Sequence, residues 1–144
     1  MKWDIHLFAV VALTILSSGC FAVSFRVPRK YFALTTIVGL VGALCVRLAP
    51  EAIHPGYVSF FTAFLVGGIS HVLARLYSQP AQIFLIPGVI FMVPGETLYK
   101  ALRLGLADDF NAMFETFSYA AAVTFGICFG LLLSNWVIPS RREL

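Results

Sequence analysis

The polar residues best placed for chemistry follow a proline–glycine pair, Pro94-Gly95, that interrupts a long apolar stretch. Proline removes a backbone donor and glycine loosens the backbone, so a helix across this stretch must be broken. A helix that restarts at about Glu96 exposes amides that can bind a substrate carboxylate, and Thr97 and Tyr99 would add hydroxyl groups. The alternative is a helix kink without a ligand.

A second pair, Pro87-Gly88, predicts another break in the same stretch. Ile83–Gly95 is too short to cross a bilayer alone, because a spanning helix needs roughly 20 apolar residues. Together with Glu96–Leu106, the segment Pro80–Leu106 is long enough to cross as a discontinuous helix, or it dips in and returns. Broken backbone at that depth is tolerated where protein covers it or where it lines a watery cavity.

Three ionisable residues within apolar segments each allow two interpretations. Glu96 either stabilises a helix N-terminus and pairs with Lys100 at i+4, or carries protons in a pathway. Arg75 either extends to the headgroups or faces the pathway. His71, one turn deeper on the same face, is either a buried polar contact or a proton relay, since imidazole titrates near neutral pH.

The sequence carries no catalytic motif of the zinc-protease, serine-hydrolase, phosphate-loop or dinucleotide-binding kind. Its three histidines and three cysteines show no metal-ligand spacing. We therefore expect no enzyme, no catalytic residues, no cofactor and no metal site. The net charge of +3 is too small and scattered to predict nucleic-acid binding.

Composition predicts an all-α integral membrane protein. The chain has 144 residues, 60% hydrophobic and 12% charged, whereas soluble domains are about 45–50% apolar and about 25% charged. Apolar runs predict one transmembrane domain over residues 1–144 with five spans in the lipid bilayer. The spans lie at about residues 5–25, 31–49, 58–77, 80–106 (broken) and 114–138.

The placement of basic residues predicts five crossings, with the N-terminus outside and the C-terminus inside. The inside regions then hold Arg26, Arg29, Lys30, Arg75, Arg141 and Arg142 against the acid Glu143. The outside regions mix Lys2, Arg47, Lys100 and Arg103 with Asp4, Glu51, Glu96, Asp108, Asp109 and Glu115. A re-entrant fourth segment would instead place the last two arginines outside.

Small residues recur at i, i+4 spacing on three of the predicted spans. They are Thr35, Gly39 and Ala43; Ser59, Ala63 and Gly67; and Ser118, Ala122, Gly126, Gly130 and Ser134. Membrane helices associate through close packing of such residues. These faces either pack within the chain or dock against another subunit.

The run Arg75-Leu76-Tyr77-Ser78-Gln79-Pro80, the run Phe84–Gly95 with both proline–glycine pairs, and Tyr99 resemble the signature of the threonine/serine exporter (ThrE) family. The chain's small size makes it similar to the short YjjB-like subunit of that family. The residues that match by position are Arg75, Pro87, Gly88, Pro94, Gly95 and Tyr99. One departure is Phe91, where family members often have proline.

The resemblance implies export of small amino acids, such as threonine and serine, across the bacterial inner membrane, coupled to protons. It also implies a larger ThrE-like membrane subunit as partner, and some split pairs are linked with dicarboxylates instead. A small amino acid or carboxylate would thus be the substrate, and the C-terminus would be cytoplasmic. The alternatives are a non-transporting assembly subunit and a homo-oligomeric channel.

Overall fold

The computed structural model describes residues 2–50 and 52–138, and the side chains from residue 11 onward within these ranges. The described part is built of helices and turns without a strand, which confirms the all-α prediction. The helices are α1 (Lys2–Ser24), α2 (Phe32–Leu48), α3 (Pro55–Tyr77), α4 (Gln82–Val89), α5 (Gly95–Leu106) and α6 (Phe110–Val137). Two 3₁₀ turns cover Arg29–Tyr31 and Ile90–Met92.

Length and composition suit a membrane. Four helical segments of the described chain are long and apolar enough to span a bilayer: Arg29–Leu48, Pro55–Tyr77, Gln82–Leu106 and Phe110–Val137. Helix α1 contributes the shorter apolar stretch Val11–Ser24. This pattern agrees with the predicted integral membrane class.

Local capping extends two helices beyond the predicted spans. At α3, Pro55 occupies the first turn and the His54 imidazole accepts a hydrogen bond from the Gly56 amide at 3.3 Å. At α6, the Asp109 carboxylate accepts one from the Ala112 amide at 3.2 Å. Helix α6 therefore begins at Phe110 rather than near residue 114.

Helices α3 and α6 run parallel in close contact. The order of their contacts shows the direction, because Gly56 meets Ala122 and Gly126, Phe60 meets Gly126 and Gly130, and Gly67 meets Ser134. Since both helices cross in the same direction, the segment 82–106 must bring the chain back to the side on which α3 begins. This geometry favours a crossing segment over a re-entrant one.

One end of the bundle collects basic residues, and we call it the basic end. There the α1–α2 and α3–α4 connections meet, with the Tyr31 ring centroid 5.3 Å from that of Tyr77. The exposed residues Arg26, Arg29, Lys30 and Arg75 all lie at this end. The predicted inside residues Arg141, Arg142 and Glu143 are outside the described residues, so the orientation in the membrane stays a prediction.

The first proline–glycine pair does not break its helix, contrary to expectation. Helix α4 continues through Pro87, and both Pro87 and Gly88 are buried. A Cβ on Gly88 would lie 2.7 Å from a methyl of Val66 and 2.8 Å from one of Val38. Close packing on α2 and α3 therefore holds the helix together where proline removes one donor.

The start of α6 extends beyond the rest of the bundle at the end opposite the basic end. Ala122 lies level with the first turn of α3. The preceding residues, 110–121, therefore run past α3 by about 18 Å at 1.5 Å per residue. Helix α5 packs along this extension, since a Cβ on Gly105 would lie 2.6 Å from the Met113 sulfur. We call residues 95–121 the protruding hairpin.

Cysteine labelling in intact membranes tests the direction of segment 82–106. In a variant with Cys20, Cys45 and Cys128 replaced by alanine, we expect Ile53→Cys and Ala107→Cys to react from the same side of the membrane. Gln79→Cys should react from the other side, because an odd number of crossings separates it from residue 107. Labelling of residues 79 and 107 from one side would show a re-entrant segment.

Glycine-to-alanine substitutions test the α3–α6 contact. A Cβ on Gly130 would press on the Phe60 carbonyl oxygen, whereas one on Gly19 in α1 has no atom within 4 Å. We expect Gly130→Ala to destabilise the protein by about 1–3 kcal/mol, the usual cost of overpacking. Gly19→Ala should leave the Tm in detergent unchanged or raise it. Equal Tm values for the two variants would contradict the packing described here.

Candidate functional site

The helix interruption lies at the second proline–glycine pair. Helix α4 ends at Val89, a single 3₁₀ turn follows, and Val93 is extended with φ −64° and ψ 124°. The Gly95 amide donates to the Val93 carbonyl at 2.8 Å, and α5 begins at Gly95. The backbone thus leaves the helical path over Val93 and Pro94 only.

A cleft of about 680 Å³ opens beside this interruption, at the end of the bundle opposite the basic end. Its walls come from the ends of α2 and α3, the loop between them, the interruption itself and α6. Four of its lining residues carry polar side-chain groups: Ser59, Glu96, Thr97 and Tyr119. By contrast, the hollow of about 450 Å³ between α5 and α6 has apolar side chains on its walls. The cleft is therefore suited to a small polar ligand.

The first turn of α5 presents backbone donors to the cleft. The Leu98 amide bonds the Pro94 carbonyl at 3.0 Å, which is the first bond of the helix. The amides of Glu96 and Thr97 precede that bond, so the helix offers them no acceptor. Pro94 at the N-cap supplies no side-chain cap. These two amides and the helix dipole favour an anion at this position.

Glu96 forms an ion pair with Lys100 one turn along α5. The Lys100 Nζ lies 2.7 Å from a carboxylate oxygen of Glu96, and both side chains are largely exposed. Exposed i, i+4 pairs of this kind contribute little to stability. Of the two residues, Glu96 lines the cleft and Lys100 does not.

The structure brings only some of the predicted residues together. Pro94, Glu96 and Thr97 line the cleft. Gly95 is exposed at the start of α5. Tyr99 is 63% exposed on the outside of the protruding hairpin and does not line the cleft. The role of each in a substrate pathway remains a prediction.

The remaining predicted residues lie elsewhere in the bundle. Pro87 and Gly88 are buried between α2, α3 and α4. His71 is buried in the half of α3 nearer the basic end, and Arg75 is exposed one turn further. Ser59, which lines the cleft, precedes His71 by twelve residues, which is about 18 Å along a helix. His71 and Arg75 thus form no part of the cleft.

Sequence reasoning missed two polar residues of the cleft, Ser59 and Tyr119. Ser59 was recognised only as a small residue in the packing stripe of α3, and it is indeed 5% exposed. Its polarity among apolar neighbours was a usable signal. Tyr119 shows no such signal, because only the packing of α6 against the interruption brings it to the cleft.

Among residues 2–50 and 52–138, no three histidine, cysteine, aspartate or glutamate side chains are grouped closely enough to hold a metal ion. The three cysteines are free thiols on different helices, and Cys20 and Cys128 are exposed. The polar side-chain groups that line the cleft are the hydroxyls of Ser59, Thr97 and Tyr119 and the Glu96 carboxylate.

Comparison with known proteins supplies one match. A family model described as "Threonine/Serine exporter, ThrE" matches residues 10–137, which is most of the chain. The matched region includes α2 to α6 in full, with the interruption. No curated protein and no solved structure matches the chain.

Proposed function

The chain belongs to the threonine/serine exporter family, and we propose that it is the small membrane subunit of a two-component, proton-coupled exporter. Its substrate would be threonine, serine or a related small carboxylate, moved across the bacterial inner membrane. Membership of an exporter family points to transport rather than to catalysis. The observation that carries the proposal is the polar cleft beside the interrupted helix.

The cleft offers separate groups for the two charges of an amino acid. A substrate carboxylate would accept hydrogen bonds from the free amides of Glu96 and Thr97, as anions do at other helix N-termini. The hydroxyl groups of Thr97 and Ser59 are further donors on the same walls. The substrate ammonium would pair with the Glu96 carboxylate in place of Lys100.

This arrangement favours an amino acid over a dicarboxylate within the proposed substrate class. A dicarboxylate would bring a second negative charge toward Glu96, and like charges at close range are unfavourable. An amino acid instead satisfies Glu96 and leaves Lys100 to the solvent. The proposed order of preference is therefore threonine or serine before succinate.

A partner subunit would complete the cleft. The protruding hairpin forms the wall of the cleft on the side of α6. On the opposite side, the wall is formed by the short α2–α3 loop. The proposed partner is a larger ThrE-like membrane chain that covers the open side. Rocking of one subunit against the other would then open the site alternately to each face of the membrane.

Charge removal at Glu96 tests the substrate site. In vesicles that contain both subunits, we expect Glu96→Gln to raise the KM for threonine about three- to tenfold, because a charge-assisted contact to the ammonium is lost. Lys100→Gln is the matched control on the same turn and should leave the KM for threonine unchanged or lower. Succinate transport, if present, should improve in Glu96→Gln.

An unchanged KM in Glu96→Gln, or a larger effect in Lys100→Gln, would remove the cleft from the substrate path. A normal amount of each variant in the membrane, measured by immunoblotting, separates a transport defect from loss of the protein.

Purification tests the two-component proposal. We expect a C-terminally tagged chain, extracted with mild detergent from native membranes, to carry a larger multi-span chain at constant stoichiometry. Mass spectrometry of the purified complex identifies that chain. A homo-oligomer that transports threonine alone in liposomes would replace the two-component proposal with a stand-alone carrier, and one that conducts ions would replace it with a channel.

A further inference from the structure

Three buried polar side-chain atoms of the described residues have no hydrogen-bond partner. One is the hydroxyl oxygen of Ser18 on α1, and the other two belong to α3 and α6. These two are the Nδ1 atom of His71 and the hydroxyl oxygen of Ser134. His71 is 6% exposed and Ser134 is 0% exposed. A buried polar group without a partner is costly, and more so in the apolar part of a membrane.

Gly67 is in contact with one of the two groups and is one helical turn from the other. A Cβ on Gly67 would lie 2.7 Å from the Ser134 hydroxyl oxygen, so this hydroxyl points directly at the glycine. His71 follows Gly67 by one turn on the same face of α3. Helical side chains lean toward the N-terminus, so the His71 ring lies over the turn that contains Gly67. Because position 67 is glycine, no side chain at that position separates the ring from the hydroxyl.

A neighbouring serine on α3 satisfies its own hydroxyl, whereas Ser134, like Ser18, does not. Ser70, also fully buried, donates its hydroxyl to the Val66 carbonyl four residues earlier, at 2.8 Å. Serine in a helix commonly satisfies itself in this way. Ser134 has the same option at Gly130 and does not use it, because its hydroxyl faces α3 instead.

We propose that His71 and Ser134 together bind a water molecule between α3 and α6, and that this hydrated pair carries the coupling proton. The water would donate to Nδ1 of the neutral imidazole and accept from the Ser134 hydroxyl. A backbone carbonyl of the same turn supplies the third partner that buried waters typically have. The proton-carrying role rests on the proposed function, whereas the binding of water does not.

The proton step is balanced at one ring nitrogen. The bound water gives a proton to Nδ1 and receives one from the solution at the basic end, which is the nearer end of the bundle. Later in the cycle the imidazolium gives its Nδ1 proton back to the water, which passes it to solution. Arg75, one turn toward the basic end, is the charged neighbour on α3. The facing segments, residues 11–24 of α1, 32–46 of α2, 82–89 of α4 and 116–138 of α6, contain no acidic or basic residue.

The sign of a stability change tests the binding of water. We expect Ser134→Ala to lower the Tm of the detergent-solubilised chain by about 2–4 °C, because the water is lost and Nδ1 is left without a partner. Ser70→Ala is the matched control and should change the Tm by less than half as much. After His71→Leu, the addition of Ser134→Ala should cost nothing further, because both side chains share one water. A Tm that rises or stays constant in Ser134→Ala would overturn the hydrated pair.

Transport by the two-subunit complex tests the proton role. The measured quantity is threonine efflux from vesicles with an imposed proton gradient, divided by the efflux without one. In His71→Gln we expect this ratio to fall toward one. In Ser134→Ala we expect it to fall at least severalfold. Ser70→Ala should keep the wild-type ratio. Wild-type ratios in the first two variants would overturn the proton role. If the wild-type complex exports no threonine, the proposed function fails, and the proton role that rests on it fails as well. The Tm measurements still decide whether His71 and Ser134 bind a water molecule.

Discussion

The structure depends on the close approach of two parallel backbones, those of α3 and α6. At Gly126 and Gly130 the carbonyl groups of Gly56 and Phe60 occupy the space that any side chain would need. In lipid, where apolar side chains gain little by meeting one another, such contact between small residues is what joins helices. Because these two helices run in the same direction, the intervening segment must return across the bundle. On this return, α4 packs on α2 and α3, and α5 packs on α6.

The interruption gives this otherwise apolar bundle a place where backbone polarity is accessible. A continuous helix satisfies its own donors and acceptors, so it offers little to a polar ligand. Here the backbone departs from the helical path over Val93 and Pro94, and the new helix presents two amides to the cleft. The departure is short enough for Met92, which is buried against α3 and α6, to anchor one side of it. The site is therefore polar without any large polar surface within the apolar part of the bundle.

The apolar runs and the small-residue stripes were sufficient to predict the helical class and the packing faces. Of the five predicted spans, four correspond to helical segments that suit a bilayer, and α1 contributes a shorter apolar stretch. The small-residue stripe of α6 packs on α3 from Ala122 to Ser134, which is the intramolecular alternative. The effect of Pro87-Gly88 was predicted wrongly, because a proline breaks a helix only where neighbours do not support it, and here Val38 and Val66 provide that support. Helices α3 and α6 begin at Pro55 and Phe110 because His54 and Asp109 cap them. Such caps cannot be found by counting apolar residues. The contribution of Tyr119 to the cleft follows from which helices are neighbours, and that information is tertiary.

The protruding hairpin gives the far end of the bundle a stepped profile. Helix α5 carries the charged residues Glu96, Lys100 and Arg103 on one side. Its other side carries Leu102 and Leu106, which are 69% and 88% exposed, so the helix has a charged side and an apolar side. The cleft opens where the protruding hairpin leaves the bundle, next to the charged side of α5. A ligand in the cleft would therefore have the charged side of α5 along one flank.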